Sequence, residues 1–270
     1  MSAPERLQPI LAAVTERARL RRAARPLAEL RRDVELAPER RQAFVDALAA
    51  PGLSFIAECK RKAPSTGQLS EEVDLAARIR AYSEGGARAL SILTEEDHFQ
   101  GSLADLGAAP EVALPRIRKD FILDEAMLVE AQLAGASAVL LLACCLDDAQ
   151  LAELRAQASE LGLAVLLEVH DEQELERAVP LAPDALGVNA RDLRTFEIDL
   201  AVTERLLPQV PVGPLRVAES GLHDLDDLRR VTAAGADAAL VGTALMRSGD
   251  PAATLRSWTA ALAQLEEPRG

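Results

Sequence analysis

At least six short apolar runs in this chain each close on a polar or charged residue or a turn glycine, with helix-like segments between them. They are Ser54 to Lys60, Pro115 to Lys119, Leu163 to Glu168, Asp184 to Asn189, Leu215 to Glu219, and Ala238 to Gly242, which Thr243 follows. In a (β/α)8 barrel enzyme the active site gathers at the C-terminal ends of the strands. Such an arrangement leaves this ladder in a sequence. The ladder therefore locates the chemistry before it identifies it.

The rest of the chain fits the same frame. Strands are expected at about 54–60, 88–94, 115–119, 136–143, 163–168, 184–189, 215–219 and 238–242. Helices are expected at about 71–85, 102–109, 124–134, 147–161, 171–180, 199–207, 224–234 and 250–265, several ending at glycines such as Gly135, Gly162 and Gly235. The run Ala136 to Ala143 is too apolar to be half exposed, as in a parallel strand covered on both faces. Eight alternations predict one closed parallel sheet, an α/β fold of the TIM-barrel class. Ahead of it, Leu7, Ile10, Leu11 and Val14 follow helical spacing, and Pro38 opens a second helix with Phe44, Val45 and Leu48 on one face. With no linker or low-complexity tract, residues 1–270 read as a single domain: a helical extension over 1–52 and a barrel over 53–270.

Composition narrows the function. A length of 270 residues suits a barrel of about 250 with a modest extension. The net charge of −13 argues against a broad phosphate-backbone surface, so no nucleic-acid partner is expected. No apolar run approaches the roughly 18 residues of a membrane span, so no membrane partner is expected either. The Arg-rich start is interspersed with Glu5, Glu16, Glu29 and Asp33, unlike a transit peptide, and no secretory signal is visible. Cys59 and the adjacent Cys144 and Cys145 make neither a disulfide framework nor a spaced metal motif. Reduced thiols in a cytoplasmic protein are the expectation.

Strand parity sorts the candidate residues, because residues two apart share a face. Glu58 and Lys60 point with Ile56, and Cys59 points to the other side, against the outer helices. Lys119 has the parity of Ile117; Arg116 and Arg118 have the opposite parity, and the sequence does not say what satisfies them. A second Lys near Lys60 is expected to depress the pKa of both, which suits a general acid. Glu168 closes a wholly apolar run and is expected to have a raised pKa. Asn189 and Arg191 share parity and offer neutral and forked hydrogen bonds. Ser220-Gly221 after strand 7 and Gly242-Thr243 after strand 8 are placed to hold a phosphate on backbone N–H groups. Lys60, Arg61, Lys62, Arg116, Arg118, Lys119 and Arg191 together predict a locally basic mouth for a small anion. His98, His170 and His223 fall in three separate loops, and without a close ligand pair no metal is assigned. No phosphate-binding Walker loop or dinucleotide motif is present.

These strand ends also carry a resemblance. Ile56-Ala57-Glu58-Cys59-Lys60-Arg61 with Pro64-Ser65, Ser91-Ile92-Leu93-Thr94-Glu95 with Phe99-Gln100-Gly101-Ser102, Arg118-Lys119-Asp120-Phe121, Leu167-Glu168-Val169-His170, Gly187-Val188-Asn189-Ala190-Arg191, Glu219-Ser220-Gly221 and Val241-Gly242-Thr243 resemble the indole-3-glycerol phosphate synthase family, in family order, from about Ala43 to Arg247. The preface is similar to the helical extension that this family lays over its barrel mouth. The resemblance implies ring closure of 1-(2-carboxyphenylamino)-1-deoxyribulose 5-phosphate with loss of carbon dioxide and water, in tryptophan biosynthesis, without metal or organic cofactor. It implies Lys119 as the general acid at the ketone oxygen, Glu168 as the carboxylate of the dehydration, and Lys60, partnered by Glu58, as the Lys on the substrate carboxylate. Asn189, Arg191 and Ser220 resemble residues that bind or orient the substrate, and Phe121 an aromatic of the pocket. Arg61, Ser65, Glu219, Gly221, Gly242 and Thr243 are the further substrate contacts it implies. Ala63 stands where the family usually has Ser, and Ala190 where it often has Asn. The implied partner is a small phosphorylated molecule, with other tryptophan-pathway enzymes as candidate protein partners.

Two rival readings share the phosphate loops. A phosphoribosyl isomerase would not need the Glu58–Lys60 pair beside Lys119 and Glu168. A non-catalytic paralogue that binds a phosphorylated ligand would not need intact acid and base positions. A Schiff-base lyase using Lys119 would be trapped by borohydride with substrate, where a general-acid Lys would not.

Overall fold

Side chains alternate along a strand, so an apolar run buried on both faces needs two different covers. The barrel supplies one inside and one outside. The structure, a computed structural model, describes residues 3–63, 67–68 and 74–266. Eight parallel strands close on themselves: β1 (Ser54–Cys59), β2 (Ala89–Leu93), β3 (Arg116–Lys119), β4 (Ala138–Leu142), β5 (Ala164–Val169), β6 (Ala185–Asn189), β7 (Leu215–Glu219) and β8 (Ala238–Val241). Neighbours in sequence are neighbours in the sheet, and β1 pairs with both β2 and β8. Ile56, Ile117, Leu140, Leu166, Val217 and Leu240 fill the inside. Phe55, Ala57, Cys59, Val139, Leu141 and Val165 pack outward under the helices. The parity reading of Cys59 against Glu58 thus agrees with the structure. β4 is buried along its whole length, as its composition predicts. A short antiparallel pairing of Lys62–Ala63 with Gly67–Gln68, which the sequence did not suggest, follows β1.

Aspartates fix where the loops at the C-terminal face end. Asp74, Asp124, Asp147, Asp171, Asp199 and Asp224 each accept a backbone N–H in the first turn of the helix that follows. Such caps stabilise a helix start by about 1 kcal/mol each.

The two halves of the N-terminal extension go to opposite ends of the barrel, which corrects the expectation that all of it covers the mouth. The helix Gln8–Ala24 buries Ile10, Val14 and Ala18 near the C-terminal mouth. It is tied there by ion pairs from Arg17 to Asp97 (2.6 Å), Arg21 to Glu130 (2.9 Å) and Arg22 to Asp124 (2.8 Å). The helix Pro38–Leu48 closes the other end. Ala89, Ala138, Ala164, Ala185 and Ala238 are the first residues of five strands and point inward. Their small side chains leave a hollow at the barrel's base, and Phe44 and Leu48 fill it. Ser54 Oγ donates to the Leu48 carbonyl (3.1 Å), which locks the helix end to β1. Among the described residues no helix is long and apolar enough to cross a membrane.

Phe44 is fully buried. Phe44→Ala should therefore lower unfolding stability by about 3–5 kcal/mol, read from the urea midpoint, because a ring of alanines cannot collapse into the space. A loss below about 1 kcal/mol would show that the base is not packed as described.

Candidate active site

The inward parity of four strands carries charge to one level. Glu58 and Lys60 follow Ile56, Lys119 follows Ile117, Glu168 follows Leu166, and Glu219 follows Val217. All five line the cavity at the C-terminal mouth, with Asn189 from β6 beside them. Lys119 Nζ lies 2.5 Å from Glu219 Oε2 and 3.1 Å from Glu168 Oε2. Lys60 Nζ lies 2.6 Å from Glu58 Oε1. Asn189 Nδ2 donates to Glu168 Oε1 (2.8 Å), and its Oδ1 accepts from the Arg191 backbone N–H (3.0 Å). Arg191 also lines the cavity, and its guanidinium donates to the Phe196 carbonyl (3.0 Å).

Two expectations about protonation are overturned. Burial alone would depress Lys119, but Glu168, Glu219 and Glu58 outweigh it and raise its pKa above the usual Lys value. Burial alone would raise Glu168, but Lys119, His170 and Asn189 hold it well below the usual carboxylate range. The carboxyl that burial does push up is Glu219, with the nearby Glu168 charge adding to the effect. Two carboxylates on one Lys cannot both ionise freely, so the pair splits. Glu58 is also buried, and Lys60 and Lys119 keep its pKa low against that burial.

The expected basic mouth is also corrected. Arg116 and Arg118 face outward and are buried under the helices. Arg116 donates to the carbonyls of Ala108 (2.6 Å), Ala109 (2.8 Å) and Val112 (3.2 Å), which answers what satisfies it. Arg118 donates to Asp120 (3.0 Å) and the Met127 carbonyl (2.6 Å). Arg61 turns to Asp105 and does not line the cavity. Lys60, Lys119 and Arg191 are the cations of that expected set that do line it, against Glu58, Glu168 and Glu219. Ser65 and Pro64 lie outside the described residues.

The walls are apolar. Phe121 lines the cavity opposite Phe99, their ring centroids 6.5 Å apart. Leu7 and Ile10 of the N-terminal segment close one side. Ser220, Gly221, Gly242 and Thr243 line the cavity beyond β7 and β8. Ser220 has φ of +64° and Gly221 +74°, so two successive residues are left-handed there. A serine held in that region is a strained position of the kind found at functional sites. The three histidines form no common group. His98 is 3.2 Å from Glu95 and His170 is 2.9 Å from Glu174, while His223 lines the cavity.

Sequence reasoning quoted Glu95, His170 and Gly187 within motifs but gave them no part in the charged site. Glu95 accepts the backbone N–H groups of Asp97, His98 and Phe99 (3.1, 2.7 and 2.9 Å) and so presents Phe99 to the cavity. His170 lies 3.1 Å from Glu168 Oε1; its place two residues past a strand-end carboxylate was the available signal. Gly187 was quoted only as part of a motif. A Cβ there would lie 2.1 Å from Glu219 Oε1, so its missing side chain is the seat of that carboxylate. Gly242 does the same for Glu58, whose Oε1 would lie 2.3 Å from a Cβ. This adds a second role to a glycine read only as a phosphate contact.

The family model for indole-3-glycerol phosphate synthase matches residues 7–258. Proteins named indole-3-glycerol phosphate synthase are similar to this chain: the one from Nocardioides sp. is 49% identical over 211 residues, 78% of this chain and 81% of that one. The one from Parafrankia sp. is 44% identical over 246 residues, 91% of each chain. Among solved structures, 3-hexulose-6-phosphate synthase from Salmonella typhimurium aligns with a TM-score of 0.63 at 15% identity, over 78% of this chain and 99% of that one. That likeness is one of fold.

Gly187→Ala should leave the barrel folded by circular dichroism, since the atom displaced is the far end of a flexible side chain. The displaced Glu219 carboxylate should lose its place on Lys119, and turnover should fall by roughly 10²-fold, the scale of a 1 Å misplacement. Unchanged turnover would remove the Gly187 seat from the account.

Proposed function

The chain belongs to the indole-3-glycerol phosphate synthase family, and we propose that the charged floor of its barrel is where the family's chemistry takes place. The protein is a lyase of tryptophan biosynthesis. It closes the pyrrole ring of 1-(2-carboxyphenylamino)-1-deoxyribulose 5-phosphate and expels carbon dioxide and water, giving indole-3-glycerol phosphate.

One observation carries the assignment: the Lys119 ammonium sits between Glu168 and Glu219 on the cavity floor. Closure puts negative charge on the ketone oxygen, and a fixed cation in a buried site stabilises that charge far better than water does. Lys119 donates the proton. Its raised pKa keeps it protonated across the neutral range but makes it a weak acid. Glu219, 2.5 Å away with a carboxyl held toward the protonated form, supplies the replacement. Glu168 is held ionised and acts as the base of the dehydration, with Asn189 fixing its other oxygen. Lys60 binds the substrate carboxylate and protonates the leaving hydroxyl, while Glu58 holds it in place.

Arg191, Ser220 and Phe121 orient the aromatic end and the chain of the substrate. The backbone of Gly221, Gly242 and Thr243 receives its phosphate. The isomerase and binding-only readings would leave the Glu58–Lys60 pair without a use beside Lys119 and Glu168. We place the reaction in the cytoplasm, with the enzymes that make its substrate and take its product as candidate partners.

Lys119→Ala should lower kcat by roughly 10²-fold or more, followed by indole fluorescence with the purified protein and the substrate above. The fold should be intact by circular dichroism. Near wild-type turnover in a folded variant would take Lys119 out of the mechanism.

A further inference from the structure

Beside Glu168 stands a cluster of which only His170 touches the catalytic floor. Cys144 lies in the turn Ala143–Cys145 after β4, His170 directly follows β5, and Glu174 lies in the helix Glu172–Ala178. They bring one sulfur, one ring nitrogen and one carboxylate oxygen within 4.8 Å of one another, and no other such group occurs among the described residues. Glu174 Oε2 accepts the His170 backbone N–H (2.9 Å) and lies 2.9 Å from ring Nδ1. The His170 side chain is 10% exposed. Its other nitrogen, Nε2, has no hydrogen-bond partner although Glu168 Oε1 is 3.1 Å away. A buried ring nitrogen without a partner needs an explanation.

A thiol, an imidazole and a carboxylate converging from two loops and a helix form a donor set suited to zinc. We propose that Cys144 Sγ, His170 Nδ1 and a Glu174 oxygen bind one zinc ion, with water in the fourth position. Tetrahedral zinc with bonds of about 2.0–2.3 Å sets its donors roughly 3.3–3.8 Å apart, so Glu174 Oε2 and His170 Nδ1, at 2.9 Å, must open by a few tenths of an ångström, while any spacing nearer 4.8 Å draws inward. The metal replaces the Nδ1 proton of the doubly protonated His170 ring and the thiol proton of Cys144. Both protons pass to solvent, and no electron is transferred. The ring proton that remains sits on Nε2 and donates to Glu168 Oε1. A metal-bound histidine whose second N–H meets a carboxylate is the usual outer shell of a zinc site. The same step leaves a neutral ring, in place of an imidazolium, 3.1 Å from Glu168 Oε1. It also couples metal occupancy to Glu168, and this coupling alone rests on the role assigned to Glu168 above.

The test uses the full chain, metal-stripped and kept reduced with a non-thiol reductant. Titration with cobalt(II) should produce a thiolate-to-metal charge-transfer band and the d–d bands of tetrahedral cobalt, at one metal per chain. Competition with zinc should abolish them. Cys144→Ser and Glu174→Gln should each weaken zinc binding by about tenfold or more in calorimetry. No charge-transfer band in wild type overturns the site whether or not the variants fold. Equal zinc affinity in folded Cys144→Ser also overturns it. The coupling is read separately: saturating zinc should slow wild-type turnover and leave Cys144→Ser unaffected, and unchanged wild-type turnover would overturn the coupling but not the site.

Discussion

Two buried carboxylates, Glu168 and Glu219, share one ammonium group, that of Lys119, at 3.1 and 2.5 Å. Without that cation, two ionised carboxylates so close together in a protein interior would repel by several kcal/mol. With it, Glu168 stays ionised, while burial and the Glu168 charge push Glu219 toward its protonated form. The rest of the floor is built around this arrangement. Asn189 holds the free oxygen of Glu168, and Lys60 with Glu58 forms a second ion pair. Partners on both of its oxygens, Lys119 and Asn189, are what make the buried charge of Glu168 tolerable.

The arrangement depends on what is missing as much as on what is present. Gly187 leaves the space that Glu219 occupies, and Gly242 leaves the space for Glu58. At the opposite end a ring of alanines leaves the hollow that Phe44 and Leu48 fill. Small residues at inward strand positions therefore set both ends of the barrel. One end becomes a dry plug and the other a charged cavity with apolar walls. The fixed dipoles and charges of that cavity are in place before any substrate arrives, which is how electrostatic catalysis avoids reorganisation at the moment of reaction.

Much of this was legible in the sequence, for identifiable reasons. Strand parity is a local rule, and it put Glu58 and Lys60 on the face of Ile56 and Lys119 on that of Ile117 without knowledge of the tertiary structure; Glu168 stood out as the end of an apolar run, and Glu219 through the resemblance alone. The charge states were not legible. Glu168 reads as a carboxylate among apolar neighbours until Lys119 arrives from a strand 49 residues earlier in the chain. Arg116 and Arg118 read as part of a basic mouth, because the acceptors of Arg116 are loop carbonyls and those of Arg118 include a helix carbonyl, which no side-chain pattern announces. The two N-terminal helices look alike as amphipathic segments. Only the alanines at the strand starts mark the base as the place for the second one.

The claim that the two carboxylates on Lys119 titrate far apart can be measured directly. With 13C-labelled glutamate side chains, the carboxyl signals of Glu168 and Glu219 can be followed by NMR as a function of pH, in wild type and in Lys119→Met. Glu219 should titrate at about 8 in wild type, while Glu168 stays ionised down to strongly acidic pH. Loss of the ammonium should move both upward, because Lys119 lowers the pKa of each. Two ordinary carboxyls titrating together near 4.3, unmoved by the substitution, would contradict the account at its centre.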